Sequence, residues 1–145
     1  MFGRNNKLDT SWLAGVALFD GFNQAQLSQV ADLGRRVDVA AGSEIADQGR
    51  IGKECWVVVE GTANIIMNGE YVTSVGAGSM IGEMALLEHR PRSAAVIADT
   101  DMVLVSFDTD GFNSILDANP MAKERVSAIL TRRLSDNMNR RAGEG

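Results

Sequence analysis

From about residue 36 the chain breaks into short strand-like pieces that alternate with glycines at positions 42, 49, 52, 61, 69, 76 and 78. Cys55-Trp56-Val57-Val58-Val59 is rich in β-branched and aromatic residues, which favour a pleated strand. Ala63-Asn64-Ile65-Ile66-Met67 runs into Asn68-Gly69 and then Tyr71-Val72-Thr73. Asn-Gly between two such runs is a strong hairpin signal. Ala94 to Ala98 and Met102 to Phe107 supply two more strands. Short strands at this regular spacing predict a compact barrel or roll. Fifteen glycines against two prolines agree with many tight turns rather than disorder.

Both flanks read as helical. Trp12, Leu13, Val16, Leu18 and Phe19 precede a break at Asp20-Gly21; Leu27, Val30, Ala31 and Leu33 then recur at helical spacing until Gly34. After the strands, Asp108 or Thr109 can cap a helix carrying Phe112, Ile115 and Leu116, and Asn119-Pro120 breaks it. A last helix is expected from about Met121 to Arg141. Its stripe of Val126, Leu130, Leu134 and Met138 must cover the roll, a partner subunit or a bound ligand, and core packing is its first use. The predicted fold class is therefore α+β, mainly β. A length of 145 residues suits one domain spanning 1–145. Its parts are helices over 9–34, a β-roll over 36–107 and helices over 108–141.

Composition excludes several classes. The net charge of −5 disfavours non-specific binding to nucleic acid, which relies on a basic surface. Arg132-Arg133 and Arg140-Arg141 read as a solvated helix face diluted by Asp136 and Glu144. No apolar run approaches the roughly 18 residues a membrane helix needs, so no membrane insertion is expected. Met1 to Lys7 lacks the apolar core of a secretory signal. The single cysteine, Cys55, cannot close an intrachain disulfide and reads as a half-buried strand residue. These features predict a cytoplasmic protein. One histidine and one cysteine leave no material for most zinc sites and make a nucleophilic triad unlikely. Gly52-Lys53-Glu54 lacks the rest of a P-loop, and Gly76-Ala77-Gly78 misses the dinucleotide spacing. No catalytic residue, metal or cofactor is expected.

The segment from Ile81 to Ala95 carries the chemistry. Gly82 lets a backbone approach a ligand closely. Glu83 to Leu87 reads as a short helix, whose first N–H groups favour anions. Arg92 offers an always-charged fork for two phosphate oxygens, Pro91 stiffens the approach to it, and Ser93 adds a hydroxyl. An acid beside a phosphate repels it, but Glu83 fits if it accepts a hydrogen bond from a sugar hydroxyl. One arginine matches one negative charge, as on a cyclic phosphodiester. Taken singly, a Gly-Glu pair is usually a turn and a helix start, and a lone arginine such as Arg90 a solvated group. His89 is expected to be an exposed loop residue.

Gly82-Glu83-Met84-Ala85-Leu86, a spacer, then Pro91-Arg92-Ser93-Ala94 closely resembles the phosphate-binding cassette of the cyclic-nucleotide-binding domain family. The resemblance runs from about Leu13 to Arg141. It implies a jelly-roll-like β-roll with the cassette at 81–94, flanked by N-terminal helices and a C-terminal helix pair. It implies that Glu83 holds the ribose 2′-hydroxyl and Arg92 the cyclic phosphate. The backbone of Gly82, Met84 and Ala85 and the Ser93 hydroxyl would complete the cradle. Gly42, Gly49 and Gly61 stand where such domains place turn glycines, Trp56 stands where an aromatic is usual, and Ile81 replaces a common phenylalanine. The implied function is a non-enzymatic sensor of cyclic AMP, or of cyclic GMP, that switches its C-terminal helix on binding. Partners would be the nucleotide and either an unidentified effector protein or a homodimer mate held through that helix. The chain ends at Gly145 without the DNA-reading, channel or kinase partner domain of larger members. It thus reads as a free-standing sensor or a fragment. The competing expectation is an interaction module whose pocket is unused.

Overall fold

The computed structural model describes residues 10–13, 15–83 and 91–128. Two 3-10 turns, Ser11–Leu13 and Ala17–Phe19, lead into helix α1, Gln24–Leu33. Asn23 caps α1 with its side chain on the Gln26 N–H, and the Gln26 side chain returns the bond to the Asn23 N–H, both at 2.8 Å. Eight strands follow: β1 Arg35–Val39, β2 Glu44–Ala46, β3 Glu54–Glu60, β4 Ala63–Met67, β5 Glu70–Val75, β6 Met80–Ile81, β7 Ala95–Ala98 and β8 Met102–Asp108. Helix α2, Thr109–Ala118, starts on Asp108, whose carboxylate accepts from the Gly111 N–H at 2.7 Å. Asn119 interrupts it, and residues 120–128 are helical again.

The strands form two four-stranded antiparallel sheets, ordered β1-β8-β3-β6 and β2-β7-β4-β5. The fold is the expected β-roll, with helices before and after the strands. The β4–β5 hairpin turns at Asn68-Gly69, where both residues have positive φ. β3 and β8 form the centre of the first sheet, and their alternation serves two cores. Cys55, Val57, Val105 and Phe107 face a cluster with Leu13, Val16, Phe19, Val30, Phe112, Ile115, Leu116, Ala122 and Val126. Trp56, Val58, Leu104 and Met102 face the second sheet, packing with Ala63, Ile81, Val96 and Ala98. A sheet buried on both faces needs apolar residues at successive positions, which is why β3 reads as an unbroken run.

Cys55 is fully buried, not half-buried, because its side of β3 lies under the helices. Leu33, expected on the apolar face of α1, is 38% exposed, whereas Val30 of the same helix is fully enclosed. β1, β2 and β6 lacked strand-like runs of their own: Arg35–Val39 alternates charge with valine, and the other two are 3 and 2 residues long. Of the last helical stripe, Val126 is buried; Leu130, Leu134 and Met138 lie outside the described residues, as do His89 and Arg90. No helix among the described residues is long and apolar enough to cross a membrane.

Gly61 and Gly42 separate two costs of a side chain. Both have φ near +90° (+92° and +87°), but a Cβ on Gly61 would press on the Asp101 carbonyl and on Met102 and Thr100, while one on Gly42 would meet nothing within 4 Å. Gly61→Ala should therefore lose more stability than Gly42→Ala. The left-handed strain common to both is about 1–2 kcal/mol, and the overlap adds to it only at position 61. Urea unfolding of the two variants beside wild type measures the difference; equal losses would show that the contact carries no weight.

Candidate functional site

The segment bearing Gly82, Glu83 and Arg92 is anchored at both ends. On one side β6 pairs with β3, Ile81 opposite Trp56. On the other, Pro91 bridges to Ile51, the Arg92 N–H donates to the Arg50 carbonyl, and the Gly49 N–H donates to the Arg92 carbonyl, both at 2.8 Å. The 47–50 loop is itself tied to the β4–β5 turn. The Gln48 side-chain amide gives a bond of 2.8 Å to Asn68 Oδ1 and takes one of 2.9 Å from the Asn68 N–H. The backbone around Arg92 is thus held from two directions.

Arg92 is not a solvated surface arginine: only 9% of it is exposed. Its guanidinium carbon lies 4.9 Å from the Trp56 ring centroid, a stacking geometry that attracts a cation to the ring face. Nη2 donates to the Glu54 carbonyl at 2.7 Å. Nη1 is buried and meets no acceptor among the described residues. Burial pushes the Arg92 pKa down, and the negative charge of Glu54 works in the opposite sense. A buried guanidinium with an uncommitted donor is costly. An anion on Nη1 would remove that cost.

Gly82 makes this placement of Arg92 sterically possible. Its φ is +81°, and a Cβ there would collide with Arg92 Nη1 and crowd the Trp56 ring. Glu83 follows as the first helical residue and is half-buried. Its charge reaches Cys55, the neighbour of Trp56 in β3, whose thiol is pushed far up, first by burial and then by Glu83, against the opposing pull of Arg92. Glu83 and Arg92 therefore act on one buried thiol despite their separation in sequence. Ser93 is exposed beside Arg92. Met84 and Ala85, the remaining residues expected to line the cradle, lie outside the described residues.

Two further residues join the site without having been singled out. Glu54 supplies the carbonyl under Arg92, and its carboxylate accepts from Ser106 Oγ at 2.6 Å. Trp56 offers the ring on which Arg92 lies. The period of β3 puts Glu54 and Trp56 on one face, a signal that was readable. That Ser106 stands opposite Trp56 depends on the β3–β8 register, which no local pattern announces.

The groups match a small, singly charged anion. Among the described residues the site holds one buried cation, Arg92, and a glycine that leaves room at its unbonded nitrogen. No group of three or more His, Cys, Asp or Glu among the described residues could hold a metal ion.

The model of the cyclic nucleotide-binding domain matches residues 36–119. Among solved structures, the chain is similar to a cyclic nucleotide-binding-like protein from Brucella abortus, with 28% identity and a TM-score of 0.65, over 75% of this chain and 97% of that one. It is similar to the regulatory domain of Toxoplasma gondii PKA, solved with cAMP, with 26% identity and a TM-score of 0.73, over 88% of this chain and 49% of that one. The Thermus thermophilus catabolite activator protein shares the fold, with 24% identity and a TM-score of 0.74, over 85% of this chain and 60% of that one. The match thus spans less than two thirds of the Thermus and Toxoplasma chains.

The Cys55 environment has a direct chemical consequence. Its raised pKa keeps the thiol protonated at neutral pH, and only the thiolate reacts readily. Ellman's reagent at pH 8 should label the native protein at least about 100-fold more slowly than the urea-unfolded chain, whose thiol returns to a pKa of about 8.5. By the same linkage, the native state retains a proton that the unfolded state releases, so this thiol lowers stability as pH rises above that unfolded value. Rapid labelling of the folded protein would contradict the buried, neutral thiol.

Proposed function

Because the chain belongs to the cyclic nucleotide-binding domain family, we propose that it is a non-enzymatic sensor of a cyclic nucleotide, cyclic AMP in the first place and cyclic GMP as the alternative. The supporting observation is Arg92 Nη1: a buried cationic donor without an acceptor among the described residues, cleared by Gly82. In this reading the cyclic phosphate takes Nη1, while Nη2 stays on the Glu54 carbonyl and Trp56 backs the guanidinium. Glu83 accepts from the ribose 2′-hydroxyl. Ser93 and the backbone of Gly82, Met84 and Ala85 complete the phosphate cradle. An acid and a base at these two places discriminate between parts of one ligand, since Glu83 repels the phosphate that Arg92 attracts.

The whole chain acts as one regulatory unit in the cytoplasm, and the helix beginning at residue 120 carries the signal. That helix already packs on the N-terminal turns: Arg125 Nη1 donates to the Leu18 carbonyl at 2.9 Å. A ligand that contacts it in one arrangement only would shift its equilibrium by the difference in affinity between the two states. The receiver is an effector protein or a second copy of the chain.

Calorimetric titration with cyclic AMP and cyclic GMP tests the assignment. Wild type should bind at least one of them and gain melting temperature with ligand concentration. Arg92→Ala removes one partner of a desolvated charge pair, which costs about 2–5 kcal/mol, or roughly 30-fold to several-thousand-fold in affinity. Glu83→Ala should cost less, about 1–3 kcal/mol. Equal affinity in wild type and Arg92→Ala rejects the site. Wild type that binds neither nucleotide leaves the fold to an interaction role.

A further inference from the structure

Ser106 and Glu54 are polar groups placed at the rim of the roll's inner core. Ser106 is 6% exposed and lies on β8 directly opposite Trp56. Met102 and Leu104, which precede it on the same face, are apolar core residues. A buried hydroxyl there must find a partner, and it finds the Glu54 carboxylate at 2.6 Å, the length of a charge-assisted bond. Glu54 is also the residue whose carbonyl receives Arg92 Nη2. The carboxylate therefore springs from the same backbone unit that touches the guanidinium. Yet no ion pair joins the Glu54 carboxylate to Arg92 among the described residues. An acid whose charge acts on a buried guanidinium with a spare donor is a competitor for that donor.

We infer that Ser106 is a positioning residue for Arg92: by holding the Glu54 carboxylate on its hydroxyl, it keeps that carboxylate off the guanidinium and leaves Nη1 to an anionic ligand. Glu54 then has two opposed effects. Its charge stabilises the buried cation in the ligand-free protein, as its influence on Arg92 indicates. The same charge repels an incoming phosphate and lowers affinity. The Ser106–Glu54 bond converts a competing ion pair into a longer-range attraction that the ligand can outbid. The inference rests on the reading of Arg92 as the anion site.

The test is a double-mutant cycle with cyclic AMP as the probe, read by calorimetry, with urea unfolding of each ligand-free protein alongside. Ser106→Ala frees the carboxylate to pair with Arg92 and should weaken binding roughly tenfold, within the range of coupling between contacting groups. Glu54→Gln keeps an acceptor for Ser106 but removes the charge; it should tighten binding about threefold or more while leaving the ligand-free protein no more stable than wild type. In the Glu54→Gln background, Ser106→Ala should change affinity by no more than about twofold. A purely structural role for Ser106 predicts the opposite, with the same loss in both backgrounds, and that result overturns the inference. If Ser106→Ala does not fold, Glu54→Gln decides alone: weaker binding than wild type rejects the competing charge. Wild type that binds cyclic AMP with an affinity unchanged in Ser106→Ala defeats this inference and leaves the proposed function standing. Wild type that binds no cyclic nucleotide defeats both.

Discussion

A guanidinium buried against an indole is the interaction around which this site is built. Taking Arg92 out of water is expensive, and its fall in pKa is the signature of that expense. Stacking on Trp56 and the bond to the Glu54 carbonyl offset part of the cost. Several local features exist to permit the placement. Gly82 has a left-handed backbone and no Cβ where the guanidinium passes. The 49–51 strip grips the backbone of residues 91 and 92 through two hydrogen bonds and a bridge. β6 is only two residues long, yet it fixes Gly82 by pairing beside Trp56. Arg92 is thus positioned by the 49–51 strip, by β3, and by residues 80–82, the last of which pair with β3.

β3 joins the site to the rest of the molecule by simple alternation. Trp56 and Val58 point into the roll, and Cys55 and Val57 point at the helices. The site rests on one face of the strand, and the helices that end the described chain rest on the other. Trp56 shares its strand with Cys55 and Val57, which lie in the helix-side core. The helix-side core includes Ala122 and Val126 from the helix that begins at residue 120. Arg92 and that helix thus lie on opposite faces of one strand.

Much of this was legible before any coordinates. Glycine punctuation announced the roll, Asn68-Gly69 announced the hairpin, and Asp108 announced the start of α2, because turns and caps are local chemistry. Gly82, Glu83 and Arg92 were legible together because their spacing has a chemical sense that none has alone. Three things were not. β1, β2 and β6 depend on partners far along the chain, and short or charged strands carry little intrinsic signal. The depth of Cys55 depends on which face of β3 the helices cover. The neighbourhood of Glu54 depends on register, and a shift of one residue would have turned Ser106 away from it.

That last dependence bears on how specificity arises in such a pocket. In the proposed reading Glu83 and Arg92 meet the ligand and define what kind of molecule enters. How tightly it is held is set one layer back, by whatever else the guanidinium could bond. An arginine with two good internal acceptors is a structural pin; an arginine with one is a receptor. Arg92 has the Glu54 carbonyl on Nη2 and no described acceptor on Nη1, and the Glu54 carboxylate is bonded to Ser106. If the inference about Ser106 holds, the difference between pin and receptor falls on a hydroxyl that would touch no ligand, at a position where a strand interior would otherwise favour an apolar side chain.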